Sequence, residues 1–214
     1  MSELTHLHPM DQFYLAFGKA MAAWGEVEYG MSIWFMLCTG LPYDVAKELF
    51  FSPKSYSARS DLFTAALDTA GGTAHVWFPS SVSPRLDPHW LDFVAAGRNK
   101  AIKYNSVRNK LAHGVMHPSR SSASDTEWRL KEPAEWQRTE GFTQTQLLVI
   151  SRNFRELSSI LRISYLAQTR NEPSEPFVRA LLELPNDADS IELSEMQKLA
   201  ISKLSSGSPP AKFP

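Results

Sequence analysis

The sequence predicts an all-α fold, an up-and-down helical bundle of about five main helices with an irregular or hairpin insertion and a small C-terminal helical extension. Three observations predict it. Apolar residues recur at spacings of three and four through several long windows, which gathers them on one side of a helix. Prolines and the Gly71-Gly72 pair fall between those windows. Alternation at period two, the pattern of a half-buried strand, is confined to part of residues 115–140.

The first helix spans residues 11–38, where Phe13, Phe17, Ala20, Met21, Trp24, Val27, Met31, Trp34, Phe35 and Cys38 form one broad face. Pro42 restarts the chain after Gly40 into a short second helix reaching about Phe51, with Val45, Leu49 and Phe50 turned inward, and Pro53 closes it. A third helix runs from near Ser55 to Ala70 with Ala58, Leu62, Ala65 and Ala66 inward, and Gly71-Gly72 stops it. Residues 73–84, with Pro79, Pro84 and several serines, read as a surface connection whose Trp77 and Phe78 fold back onto the core.

The fourth helix runs from about Pro88 to Ala112 and ends at Gly114, a residue suited to a left-handed helix terminus. Residues 115–140, with Pro118, Pro133 and a serine-rich run, read as a loose hairpin or long excursion. The fifth helix follows Thr143, which with Gln146 has the spacing of a capping box, and reaches about Gln168. This gives a bundle over residues 11–170 and an extension over 171–204, holding short helices near 176–184 and 195–204. Residues 205–214, rich in Ser, Pro and Gly, have little to bury and read as a disordered tail.

A chain of 214 residues is long enough for one well-buried core. Its net charge of -1 provides no global basic field, so any contact with RNA must be local. Cys38 is the only cysteine; no intrachain disulfide can form, and a reducing compartment fits. Residues 1–9 lack the basic flank and apolar stretch of a signal peptide, and no window has the length to cross a bilayer. The expectation is a cytoplasmic protein without a membrane partner.

The fourth helix carries the chemistry. With Arg108 at zero and about 100° per residue, Trp90, Val94, Ala101 and Ala112 fall within about 40° of Arg108, which sets a permanent charge where a core residue belongs. Asn105, Arg98, Asn109 and His113 follow at roughly 60 to 140° as a polar flank. Lys100, Lys103 and Lys110 gather on the opposite side as a solvated strip. A buried cation requires compensation, so this flank is paired internally, lines a cleft or meets another subunit. Glu26 or Glu28 of the first helix could pair with Arg108, and His113 could simply cap a carbonyl at the helix end.

Other chemistries find little support. His113 and His117 have the spacing of a metal pair, but Gly114 and Pro118 break the helix that would align them. Gly71-Gly72 lacks the Lys-Ser or Lys-Thr of a phosphate loop, and no serine sits in a Gly-x-Ser-x-Gly turn. The tryptophans are dispersed and suit a core better than a base-stacking platform, with Trp128 and Trp136 the two that could pack over a cleft.

Arg108-Asn109 followed by His113 and Gly114 resembles the Arg-x(4–6)-His signature of the HEPN superfamily, with Asn in the favoured second position. The resemblance spans residues 11 to about 168 through the long first helix and the place of the motif late in a bundle. It implies a homodimer whose two motifs face each other across a cleft and cut RNA without metal or cofactor. It also implies a toxin or phage-defence effector, with an antitoxin or nucleotidyltransferase-like protein as partner. His113 would move a proton, Arg108 would steady the phosphate and Asn109 would orient them, while Arg98, Asn105 and Lys110 would hold substrate. Arg108 and His113 diverge by about 140° on a straight helix, so a second copy is needed to bring the two groups to one phosphate. The alternative is a non-catalytic HEPN-like module that binds nucleotide, RNA or protein.

Overall fold

The computed structural model describes residues 8–71, 86–120, 126–131 and 141–190. Six helices and one two-stranded sheet are present among them: α1 (Pro9–Thr39), α2 (Tyr43–Phe51), α3 (Tyr56–Ala70), α4 (Leu91–His113), β1 (Val115–Arg120), β2 (Thr126–Lys131), α5 (Gln144–Thr169) and α6 (Glu175–Glu183). A single 3-10 turn, Pro88–Trp90, leads into α4. The all-helical class expected from periodicity is the one observed.

α1 and α5 form the spine. Gln144 Nε2 donates to Gln12 Oε1 at 3.4 Å, Trp24 meets Phe154 edge-on at 5.2 Å, and Trp34 Nε1 donates to the Leu161 carbonyl at 2.8 Å. Both helices therefore ascend together. α4 descends beside them, since Trp34 packs on Trp90 and Phe93 at its start and Tyr104 packs on Phe154 further along. The three long helices thus run up, down and up. Gly30 lets α1 and α5 approach closely: a Cβ there would lie 3.0 Å from that of Leu161.

The C-terminal half of α1 is buried on every side, residues Gly30 to Cys38 without a break, because α2, α3, α4 and α5 all meet it there. Burial pushes the Cys38 thiol up to about 12. α1 ends at Gly40, whose φ of 68° is left-handed and whose N–H returns to the Met36 carbonyl.

The shorter helices turn differently from the expectation. In α2 the buried residues are Ala46 and Phe50, while Val45 and Leu49 are 52% and 41% exposed. In α3 they are Tyr56, Phe63 and Ala66, while Ala58 and Ala65 face out. Large rings remove more area from water than methyl groups, so Tyr56 and Phe63 set the orientation of α3 against Trp24 and Phe35.

α5 opens with the capping box anticipated at Thr143 and Gln146, each side chain bonded to the other's backbone N–H. β1 and β2 pair antiparallel from Val115↔Lys131 to Arg120↔Thr126, and Leu130 bridges onward to Phe142. The hairpin reading of this segment thus holds for its described part. α6 lies on α4, with Phe177 against Trp90 and Leu181 beside Gly97. Trp77, Phe78, Trp136, the helix expected at 195–204 and the tail at 205–214 lie outside the described residues. Among the described residues no helix is long and apolar enough to cross a membrane.

Candidate functional site

The inward face of α4 is made by Phe93, Val94, Gly97, Lys100, Ala101, Tyr104, Val107 and Leu111. Its centre lies about 40° around the helix from Arg108. Arg108 therefore stands toward the border of the buried face, half-buried, rather than at its middle, and Ala112, expected beside it in the core, is exposed. Of the residues expected beside it, Trp90, Val94 and Ala101 are buried as expected and only Ala112 is not, because Tyr104, Val107 and Leu111 bury more area and turn α4 toward their side.

At that border Arg108 Nη1 donates to Asn109 Oδ1 at 3.1 Å, and its Nε is buried without a hydrogen-bond partner. The two carboxylates proposed as partners are committed elsewhere. Glu28 pairs with Arg59 at 2.6 Å and Glu26 with Arg162 at 3.1 Å. Among the described residues no carboxylate pairs with Arg108.

Ten residues earlier the same arrangement occurs. Arg98 Nη1 donates to Asn99 Oδ1 at 3.1 Å, and Arg98 Nε is likewise buried and unpartnered. Asn105, between the two units on the same flank, keeps a buried Oδ1 without a donor. Arg98 stands beside Tyr56 of α3, whose phenol is held well above its usual range by burial and then by Glu28, with Arg98 and Arg59 opposing that rise.

His113 closes α4 and is exposed, and its ring caps no carbonyl among the described residues. It follows Arg108 by five residues, so one copy of the chain does not bring the two side chains together: about 140° and about 7.5 Å along the axis separate them. Lys110 is exposed as expected. The metal pair is not formed, since His117 stands on β1; among the described residues no three His, Cys, Asp or Glu side chains gather as a metal site.

Gly114 is not left-handed. With φ -70° and ψ 144° it passes straight from helix into strand. Glycine is needed there for space: a Cβ would fall 2.5 Å from Leu130 Cγ and 2.9 Å from the Lys110 carbonyl. The hairpin thus presses directly on the end of α4 that bears His113.

Lys100, placed on the solvent strip by the wheel, is buried. Its Nζ donates to the carbonyls of Leu184 at 3.0 Å and Pro185 at 3.3 Å, and Tyr104 Oη donates to Pro185 at 2.9 Å. From α5, Asn153 Nδ2 donates to the Ala188 carbonyl at 2.8 Å and to that of Ser190 at 3.3 Å. Three buried side chains thereby hold residues 184–190 as a strap across α4 and α5. Desolvation lowers the Lys100 ammonium below its usual value, Lys103 adds to that, and Asp187 opposes it. The signal available in the sequence was Lys100 lying on the same helical side as Gly97, Tyr104 and Leu111.

Scans against protein-family models, curated proteins and solved structures find no match to this chain.

Proposed function

We propose that this protein is a metal-independent endoribonuclease of the HEPN type, acting as a homodimer. One observation carries the reading: Arg108, pinned by Asn109 and unpaired by any described carboxylate, stands one and a half turns before an exposed His113 at the end of α4. A cation prepared in this way suits the charge that builds on a five-coordinate phosphorus. The ribose 2′ oxygen attacks the adjacent phosphorus, the P–O bond to the next nucleoside breaks, and His113 takes the hydroxyl proton or returns one to the leaving oxygen. Because His113 and Arg108 diverge on one helix, the two groups at each phosphate come from different copies. The toxin or defence role and the antitoxin-like partner rest on the resemblance alone.

The test is RNA cleavage in the presence of a chelator by wild type, His113→Ala and Arg108→Ala, each verified to be folded. Wild-type cleavage falling by at least about a hundredfold in both variants is the expected result. An inactive wild type across varied RNAs, or activity indifferent to both changes, would move the assignment to a non-catalytic binding module.

A further inference from the structure

The motif itself covers Arg108-Asn109; Arg98, expected to hold substrate without a stated contact, and Asn99 lie outside it. Both units have the same geometry, an Nη1 donating to the following asparagine at 3.1 Å, which fixes the guanidinium plane before any ligand arrives. The Arg98–Asn99 hydrogen bond lies at the surface, so the outer edge of that guanidinium is accessible. Among the described residues no carboxylate forms an ion pair with Arg98 or Arg108, the Nε of each is buried without a hydrogen-bond partner, and Glu28, which acts on Tyr56 beside Arg98, is held by Arg59 at 2.6 Å.

The two arginines are ten residues apart on one straight helix, about 15 Å along its axis and about 80° around it. Asn105 lies between them on the same flank. A single phosphate cannot span that distance. Strand phosphates repeat about every 3.4 Å along a stacked helix and more widely when extended, so one strand laid along α4 reaches both units. Arginine forks fixed in advance suit phosphate oxygens, which accept in parallel.

We infer that Arg98, fixed by Asn99, is a second phosphate-holding unit, binding the backbone of a single-stranded RNA a few nucleotide steps from the phosphate at Arg108. This rests on the ribonuclease reading and extends it from one scissile phosphate to a strand lying along α4. The strand is held by its backbone, so its base sequence is free at those positions.

The experiment uses the full chain carrying His113→Ala, so that RNA is bound without being cut. Fluorescent oligoribonucleotides, a dinucleotide through a hexanucleotide, are titrated against it and against the same chain with Arg98→Ala or Arg98→Lys added. The expected result is a step in affinity once the oligonucleotide spans both units. Arg98→Ala should reduce the hexanucleotide-to-dinucleotide affinity ratio roughly tenfold, and the salt slope for the hexanucleotide should fall by about one. Arg98→Lys, which keeps the charge and the fold, should retain most of that slope. Affinity that grows evenly with length, or an Arg98→Ala loss equal at every length, overturns the inference. The outcomes separate from those above: a wild type that cleaves RNA without any dependence on Arg98 sinks this inference alone, whereas a length step in binding with no wild-type cleavage sinks the enzyme and leaves the strand site standing.

Discussion

At the scale of single residues, the fate of a charge on α4 is decided by a few tens of degrees of helix rotation. Lys100 and Arg108 differ by about 80° around the axis. The first is buried under the strap with carbonyls as partners, and the second stands toward the border with Asn109 as its hydrogen-bond partner among the described residues. Lys100→Met leaves the Leu184 carbonyl without its donor and should cost about 1–3 kcal/mol at neutral pH. The pH dependence has a definite sign. The folded-state pKa lies below the ordinary 10.5, so between the two values the unfolded chain binds more protons than the folded one. Stability of the wild type relative to Lys100→Met should therefore rise as pH climbs through that window. Urea unfolding of both proteins from pH 7 upward measures it, and a constant or shrinking gap would refute the assignment. Gly114 shows a second residue-scale constraint: Gly114→Ala forces a Cβ against Leu130 and should destabilise by about 1–3 kcal/mol, read as a lowered thermal midpoint.

At the scale of elements, what was legible in the sequence was what local chemistry controls. The first helix, the Thr143 capping box and the Gly71 stop all occur where composition placed them, because caps and breakers act within a turn of themselves. The rotation of each helix was less legible, because it depends on what packs opposite. Val45 and Leu49 are as apolar as Phe50, yet they stay exposed while Phe50 is buried against the rings of Phe35 and Phe63. The motif residues could be named from spacing, but the absence of a described carboxylate partner for Arg108 could not, since Glu28 is captured by Arg59 from a helix distant in sequence. The strap was hidden for the same reason: its partners are backbone carbonyls more than eighty residues from Lys100.

At the scale of the whole molecule, two assemblies can be tested. Truncation after Glu183 removes the buried Leu184 and Ala188 and strips acceptors from Lys100, Tyr104 and Asn153 together. Stability should fall by several kcal/mol, because a buried ammonium and a buried amide lose their partners at once. Chemical denaturation of the truncated chain decides this; an unchanged midpoint would mean the strap is merely laid on the surface. For the dimer, mixing inactive Arg108→Ala and His113→Ala chains after co-refolding should restore roughly a quarter of wild-type cleavage, since half the dimers are mixed and each regains one of two composite sites. No recovery would place both groups of each site in one chain.

The strap is gripped through main-chain oxygens, and every amino acid presents the same oxygen. The grip is thus blind to the identity of most side chains between Leu184 and Ser190, provided the backbone keeps its path and Leu184 and Ala188 still fit beneath it. Specification of that segment is written elsewhere, in Lys100, Tyr104 and Asn153. Between 184 and 190, residues other than Leu184 and Ala188 can consequently change letter after letter while the same three donors keep the segment in place, whereas altering a donor releases the stretch of main chain it holds.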